Sequence, residues 1–211
     1  MNDELRKKMV ERQIVDRGIT DKRVIEAMKK VPRHEFLPQH CSSAAYEDHP
    51  LPIGHGQTIS QPYIVALMSE LCGLTGEEKV LEVGTGSGYQ AAILSLLAKE
   101  VHTIEVVESL YKRTKKKLAD KGYDNVYCYH RDGYRGVPEA APFDAILLTA
   151  APPKIPGTLI RQLSGEGGRL VAPVGTLTQE LQVITKQGSN LESRRVTYVQ
   201  FVPMVRGKSK E

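Results

Sequence analysis

The chain has no C-x-x-C pair, and its three cysteines, Cys41, Cys72 and Cys128, lie far apart and are odd in number. Neither a disulfide framework nor a thiolate metal site is suggested; reduced, mostly buried thiols are expected. No stretch approaches the ~18–20 apolar residues of a membrane span. The N-terminus is charged (Asp3, Glu4, Arg6, Lys7, Lys8) and lacks the apolar run of a secretory signal. A cytoplasmic protein with no membrane partner is the simplest expectation. Strong charge of one sign is also missing. A formal net charge of +4 and a pI near 8.9 do not argue for a nucleic-acid partner. No H-E-x-x-H accompanies His34, His40, His49 and His55, so no metal is expected. There is no obvious Ser-His-Asp or paired-carboxylate constellation.

What is present is a glycine turn between a strand and a helix. Val80-Leu81-Glu82-Val83 reads as a buried strand, and Gly84-Thr85-Gly86-Ser87-Gly88 as a turn that lets backbone approach a ligand. A second apolar run, Val101–Ile104, ends on Glu105, whose carboxylate can accept both hydroxyls of a ribose. The order of strand, glycines, helix and distal acid points to an adenosine-bearing cofactor. Dinucleotide sites favour G-x-G-x-x-G. Here the pattern is G-x-G-x-G, with Tyr89 where the third dinucleotide glycine would stand.

The hydrophobic patterning places the motif in an α/β fold. Length fits one domain, 1–211. Its parts are N-terminal helices and a substrate loop over 1–75, a cofactor core over 76–175, C-terminal strands over 176–205 and a flexible tail over 206–211. Helices are predicted over 2–17 (Leu5, Met9 and Ile14 near one face), 21–31, 63–73, 89–98, 109–121 and 156–163. Strands are predicted at 79–83, 101–106, 125–130, 143–149 and 168–173. That alternation specifies a doubly wound, mostly parallel sheet. Strands at 180–186 and 194–202 follow with only a loop between them, and are expected to pair antiparallel at the sheet edge. Residues 32–62 break the pattern with prolines, glycines and histidines, as a functional loop would. Ligands of such sheets sit at the carboxyl ends of the strands. Glu82–Gly88, Glu105, Asp132-Gly133 and Thr149–Pro152 converge there. Asp132 alone would read equally well as a turn-forming Asp-Gly.

The form of the glycine turn resembles motif I of class I S-adenosylmethionine-dependent methyltransferases. A second motif, Gly54-His55-Gly56-Gln57-Thr58-Ile59-Ser60-Gln61-Pro62, is far more specific. With Val31-Pro32-Arg33, Thr149-Ala150-Ala151-Pro152, Gly167–Gly175 and Phe201-Val202-Pro203, the whole chain resembles the protein-L-isoaspartate (D-aspartate) O-methyltransferase family in its bacterial form. The resemblance implies methyl transfer from S-adenosyl-L-methionine to the α-carboxyl of L-isoaspartyl residues in damaged proteins and peptides, D-aspartyl being a further substrate class. The ester would then close to a succinimide that reopens partly to aspartate. S-adenosyl-L-homocysteine would be the product, with no metal and a monomer as the working expectation. It also implies that the last two strands are ordered differently from most class I methyltransferases.

The resemblance places the family's active-site serine on Ser60. A serine just before a helix with Pro62 in its first turn also suits an N-cap, a role that could coexist with the catalytic one. Candidate cofactor contacts are Thr58, Ile59, Ser60, Gln61, Glu82, Gly84, Thr85, Gly86, Gly88, Glu105, Asp132, Gly133 and Thr149. Candidate substrate contacts are Gly56, Ile59, Ser60 and Val202. The last stretch carries Gln200 and Met204 where the family frequently has an acidic residue and a leucine, which bears on acceptor preference. Three other readings compete. An RNA or small-molecule methyltransferase would suit the glycine turn. However, the Thr149–Pro153 loop lacks the (Asp/Asn)-Pro-Pro-Tyr of base methylation, and the tightest basic cluster, Lys115-Lys116-Lys117, reads as a solvated helix face. A regulatory cofactor-binding protein and an NAD-linked dehydrogenase are the others.

Overall fold

The structure is a computed structural model and describes residues 2–207. Five parallel strands make up one side and the middle of a seven-stranded sheet: β3 (Lys79–Val83), β4 (Glu100–Glu105), β5 (Val126–His130), β6 (Ala145–Leu148) and β7 (Glu166–Gly175). The order is β5-β4-β3-β6-β7, followed by β8 (Gln179–Gln187) and β9 (Asn190–Val199) as an antiparallel hairpin at the edge. β3 and β6 are the inner strands, and their near-continuous apolar runs are buried on both faces. Side-chain alternation divides the core in two. Val80, Val101, Leu147 and Val171 face the N-terminal helices, while Leu81, Ile104, Ile146 and Leu170 face the opposite layer. The strands cross from β3 outward in both directions, which opens a crevice where β3, β4 and β6 end.

The helices are α1 (Asn2–Met9), α2 (Lys22–Lys30), α3 (Pro62–Cys72), α4 (Tyr89–Ser95), α5 (Glu108–Asp120) and α6 (Gly157–Gln162). The helix predicted over 2–17 is α1 continued by a π-helical stretch, Val10–Val15. Its wider turn puts Met9, Val10 and Ile14 into the core, whereas Leu5, expected in the stripe, is 38% exposed. Asp21 caps α2 by accepting the Arg23 and Val24 amides. α4 ends at Ser95, earlier than expected, and β9 ends at Val199 rather than 202.

The largest correction lies in the segment expected to be a loop. Leu51–Gly54 (β1) and Gln57–Ile59 (β2) pair as an antiparallel hairpin. His55 and Gly56, both at positive φ, form its tip, as primed hairpin turns require. Lys115, Lys116 and Lys117 also differ from a uniform solvated face. Lys116 pairs with Asp120, while Lys117 packs over Phe36 and donates to the Glu35 carbonyl. Of the tail expected to be flexible, 208–211 lie outside the described residues, and Arg206 packs over the Tyr134 ring, 4.4 Å from its centroid. Among the described residues no helix is long and apolar enough to cross a membrane.

Candidate active site

The turn after β3 is stitched to its neighbours by backbone groups. The amides of Gly84 and Thr85 both donate to the Ile104 carbonyl, at 2.8 and 2.9 Å. The Thr149 hydroxyl, at the end of β6, donates to the Gly84 carbonyl at 2.5 Å. Gly84 has φ 106°, and a Cβ there would lie 2.3 Å from that hydroxyl oxygen, so only glycine fits. Glu105 completes the ring. One carboxylate oxygen accepts from the Gly86 amide at 2.8 Å and the other from the Val107 amide at 2.9 Å. Each oxygen keeps a lone pair that can accept a further donor. The carboxylate is held rigidly at one wall of a narrow crevice whose other walls are Val83, Ile104, Gly133 and Met204.

Glu82, expected at the cofactor, lies instead beneath the turn, fully buried, and one oxygen accepts from the Thr103 hydroxyl at 2.5 Å. Thr103 in turn meets the Thr85 hydroxyl at 2.6 Å. The second oxygen of Glu82 has no partner among the described residues. Burial pushes its carboxyl up to about 8; the Thr103 hydrogen bond opposes this and the nearby Glu105 charge adds to it. Thr85 and Gly88 likewise support the turn without lining the crevice, Gly88 packing toward Thr114 of α5. A raised carboxyl pKa means the folded state holds a proton that the unfolded chain releases above pH about 4.5. Stability is therefore expected to fall as pH rises from about 4.5 to about 8. In Glu82→Gln that contribution to the slope should vanish, leaving a variant at least as stable as wild type at pH 8 in urea titrations. An unchanged slope would show that Glu82 ionises normally in the fold.

A second, wider groove adjoins the crevice. Thr58, Thr149 and Val202 border both, and Ser60, Gln61, Ile64 and Phe201 line the groove alone. Ser60 is not a helix cap. The cap of α3 is Gln61, no side chain closes that cap, and Pro62 follows it. The Ser60 hydroxyl has no hydrogen-bond partner among the described residues. Gln61 is tied back by its amide, which donates to the Asp48 carbonyl and carboxylate at 3.0 and 2.8 Å. The β1–β2 hairpin brings Gln57 and Thr58 to the crevice and is pinned to α5. The Arg113 guanidinium donates to the Ile53 carbonyl at 2.9 Å, and His55 Nε2 lies 2.9 Å from the Ser109 hydroxyl.

Several expectations change at this level. Gly56 forms the hairpin tip and lines neither cavity; Ile59 is buried beneath it. Asp132 takes the turn-forming role, its carboxylate accepting the Tyr134 amide at 2.9 Å, and only its neighbour Gly133 reaches the crevice. The C-terminal segment beyond β9 contributes more than expected. Ala151 donates to the Val202 carbonyl at 2.9 Å and accepts from the Met204 amide at 2.8 Å. This strap lays Val202, Met204 and Val205 along the crevice. Val106 and Gln57 join the same wall and are absent from the sequence-based set, having only their position beside Glu105 and Thr58 as a signal.

A doubly wound sheet with an acid-braced glycine turn at its switch point, and an open groove beside it, defines a class I S-adenosylmethionine-dependent methyltransferase. Residues 4–209 match the family model for protein-L-isoaspartate(D-aspartate) O-methyltransferase, and the chain belongs to that family. It is 51% identical over 200 residues to the protein-L-isoaspartate O-methyltransferase of Picosynechococcus, covering 95% of this chain and 90% of that one. The Gloeobacter violaceus enzyme of the same name is 50% identical over 96% of this chain and its own full length. Among solved structures, the chain superposes with a TM-score of 0.81 on a Plasmodium falciparum protein described as a putative protein-L-isoaspartate O-methyltransferase in complex with S-adenosyl-L-homocysteine. That pair is 27% identical over 97% of this chain and 98% of the other.

Proposed function

We propose that this protein repairs damaged proteins and peptides by methylating the α-carboxyl of L-isoaspartyl residues. D-aspartyl residues form a second substrate class. S-adenosyl-L-methionine, when bound, supplies a methyl group activated on a sulfonium. The crevice fits it: Glu105 offers two fixed oxygens to ribose hydroxyls, and the apolar side chains of Ile104 and Met204 flank Gly133 where a flat base can lie.

The observation that carries this reading is the unengaged Ser60 hydroxyl on the groove that meets the crevice at Thr58, Thr149 and Val202. Ser60 donates to the acceptor carboxylate and orients it toward the crevice. An α-carboxyl ordinarily titrates at ~3.5–4, so the acceptor is already an anion at pH 7 and no general base is needed. Its oxygen bonds to the methyl carbon as the carbon–sulfur bond breaks, with no proton moved. Ser60 is not a covalent nucleophile, since among the described residues no base is hydrogen-bonded to it. Alignment of this kind lowers the barriers of intramolecular reactions by up to ~7–11 kcal/mol. Opposite charges disappear in the step, so the hairpin and the C-terminal strap assist by keeping water out. The methyl ester then closes spontaneously to a succinimide, which opens partly to aspartate.

The protein acts as a cytoplasmic monomer on polypeptides, without nucleic-acid or membrane partners. The weak net charge supports the exclusion of nucleic acid, and among the described residues no helix is long and apolar enough to cross a membrane. The test uses methyl-labelled S-adenosylmethionine and two peptides that differ only in Asp against isoAsp. Base-labile label on the isoAsp peptide alone is expected. Equal labelling of both, or of neither, would overturn the assignment.

A further inference from the structure

Tyr198, Val199, Gln200 and Phe201 form a ridge with a cavity on either side. The acceptor groove, about 620 Å³, lies on the Ser60 side. A trough of about 610 Å³ lies on the other, bounded by Tyr134, Pro153, Leu177 and Met204. We propose that this trough is a subsite for an apolar side chain of the same polypeptide substrate, flanking the isoaspartyl residue on one side. The inference rests on the acceptor reading above, because the occupant is argued from the continuity of the two cavities across one ridge.

Two further observations bear on the occupant. Leu177 is 102% exposed and Tyr198 is 63% exposed, the most exposed large apolar residues among those described, and both line the trough. A leucine held wholly in water stabilises nothing in the fold and gains only when something covers it. Leu177 is also held in a fixed place. It sits in the β7–β8 turn, whose Gly175 has φ 130° and would place a Cβ 2.0 Å from the Thr178 carbonyl oxygen. The Gly175 amide donates to the Pro152 carbonyl at 3.0 Å, tying this turn to the loop that carries Thr149. The apolar tip and the reacting end of the site are therefore braced together. The opposite rim of the ridge is polar: the Gln179 amide donates to the Phe201 carbonyl at 3.0 Å and its oxygen accepts from the Phe201 amide. The Phe201 backbone groups are thus satisfied internally, and Leu177 and Tyr198 offer the exposed apolar side chains of the trough.

The test compares an isoaspartyl tripeptide with longer peptides extended on one side or the other, each carrying either leucine or glutamine in the extension. With wild type, the leucine extension on one side should lower KM about five- to tenfold relative to glutamine. In Leu177→Asp that difference should vanish, while kcat and KM for the tripeptide stay as in wild type. No leucine preference in wild type, or a preference that survives in Leu177→Asp, would overturn the subsite. A wild-type dimer that Leu177→Asp dissociates in sedimentation would also overturn it, assigning the patch to a second copy. If wild type fails to methylate even the tripeptide, the acceptor reading itself has failed.

Discussion

Replacing Glu105 with alanine is expected to weaken S-adenosylmethionine binding at least about tenfold by calorimetry. Two effects combine. The carboxylate loses its charge-assisted bonds to ribose hydroxyls, each of ~1.5–3 kcal/mol. The glycine turn also loses a brace, because the same two oxygens fix the amides of Gly86 and Val107. Glu105→Gln keeps one acceptor oxygen and should fall between the two. Wild-type affinity in Glu105→Ala would mean that the ribose is held elsewhere and that the turn is rigid without its acid.

Ser60→Ala should act on the other side of the site. Its hydroxyl borders the acceptor groove and makes no bond that supports α3. Removing a donor positioned at reacting charge commonly lowers turnover about 10²–10³-fold when that donor is a sole oxyanion contact. A carboxylate that keeps other neighbours should suffer less, so a fall in kcat of about ten- to a hundredfold is expected, with cofactor affinity within about twofold of wild type. A loss of affinity larger than the loss of turnover would move Ser60 into the cofactor site. An unchanged rate would remove it from the mechanism.

The parts of this site that are legible in the sequence are those fixed by local chemistry. The run Val80–Gly88 contains both the period of a buried strand and the glycines of its turn, and Glu105 ends the next strand in the same register. Backbone geometry alone then brings acid and turn together. Ser60 is placed by a motif, and only the helix end at Gln61 decides against its being a cap. The β1–β2 hairpin is hidden because its strands are short, Pro52 sits within one, and the pairing slips between Pro52 and Gly54. β1 does alternate buried and exposed residues, but four residues with a proline among them are too short a run to mark a strand. The strap 202–205 is hidden for a different reason. Its course is set by hydrogen bonds to Ala151, distant in sequence, so the apolar residues read as more of β9. Glu82 and Glu105 show the same limit within one motif. Both are acids near strand ends, yet one is sealed below the turn beside Thr103 and the other faces the crevice. Glu82 pairs with Thr103, and Glu105 stands two residues beyond Thr103, so strand alternation puts both acids on one face of the sheet and does not say which of them a ligand reaches.

The account depends on an acceptor that arrives as an anion, so that the protein aligns it and removes no proton. The most direct measurement is the single-turnover rate of methyl transfer to an isoaspartyl peptide at saturating cofactor, followed from pH 6 to pH 8. The expected result is a rate that stays flat across that range, because a carboxyl that titrates at ~3.5–4 is ionised throughout. A steep rise with a midpoint near pH 7 would reveal a group that must lose a proton before the methyl moves, and would contradict the account.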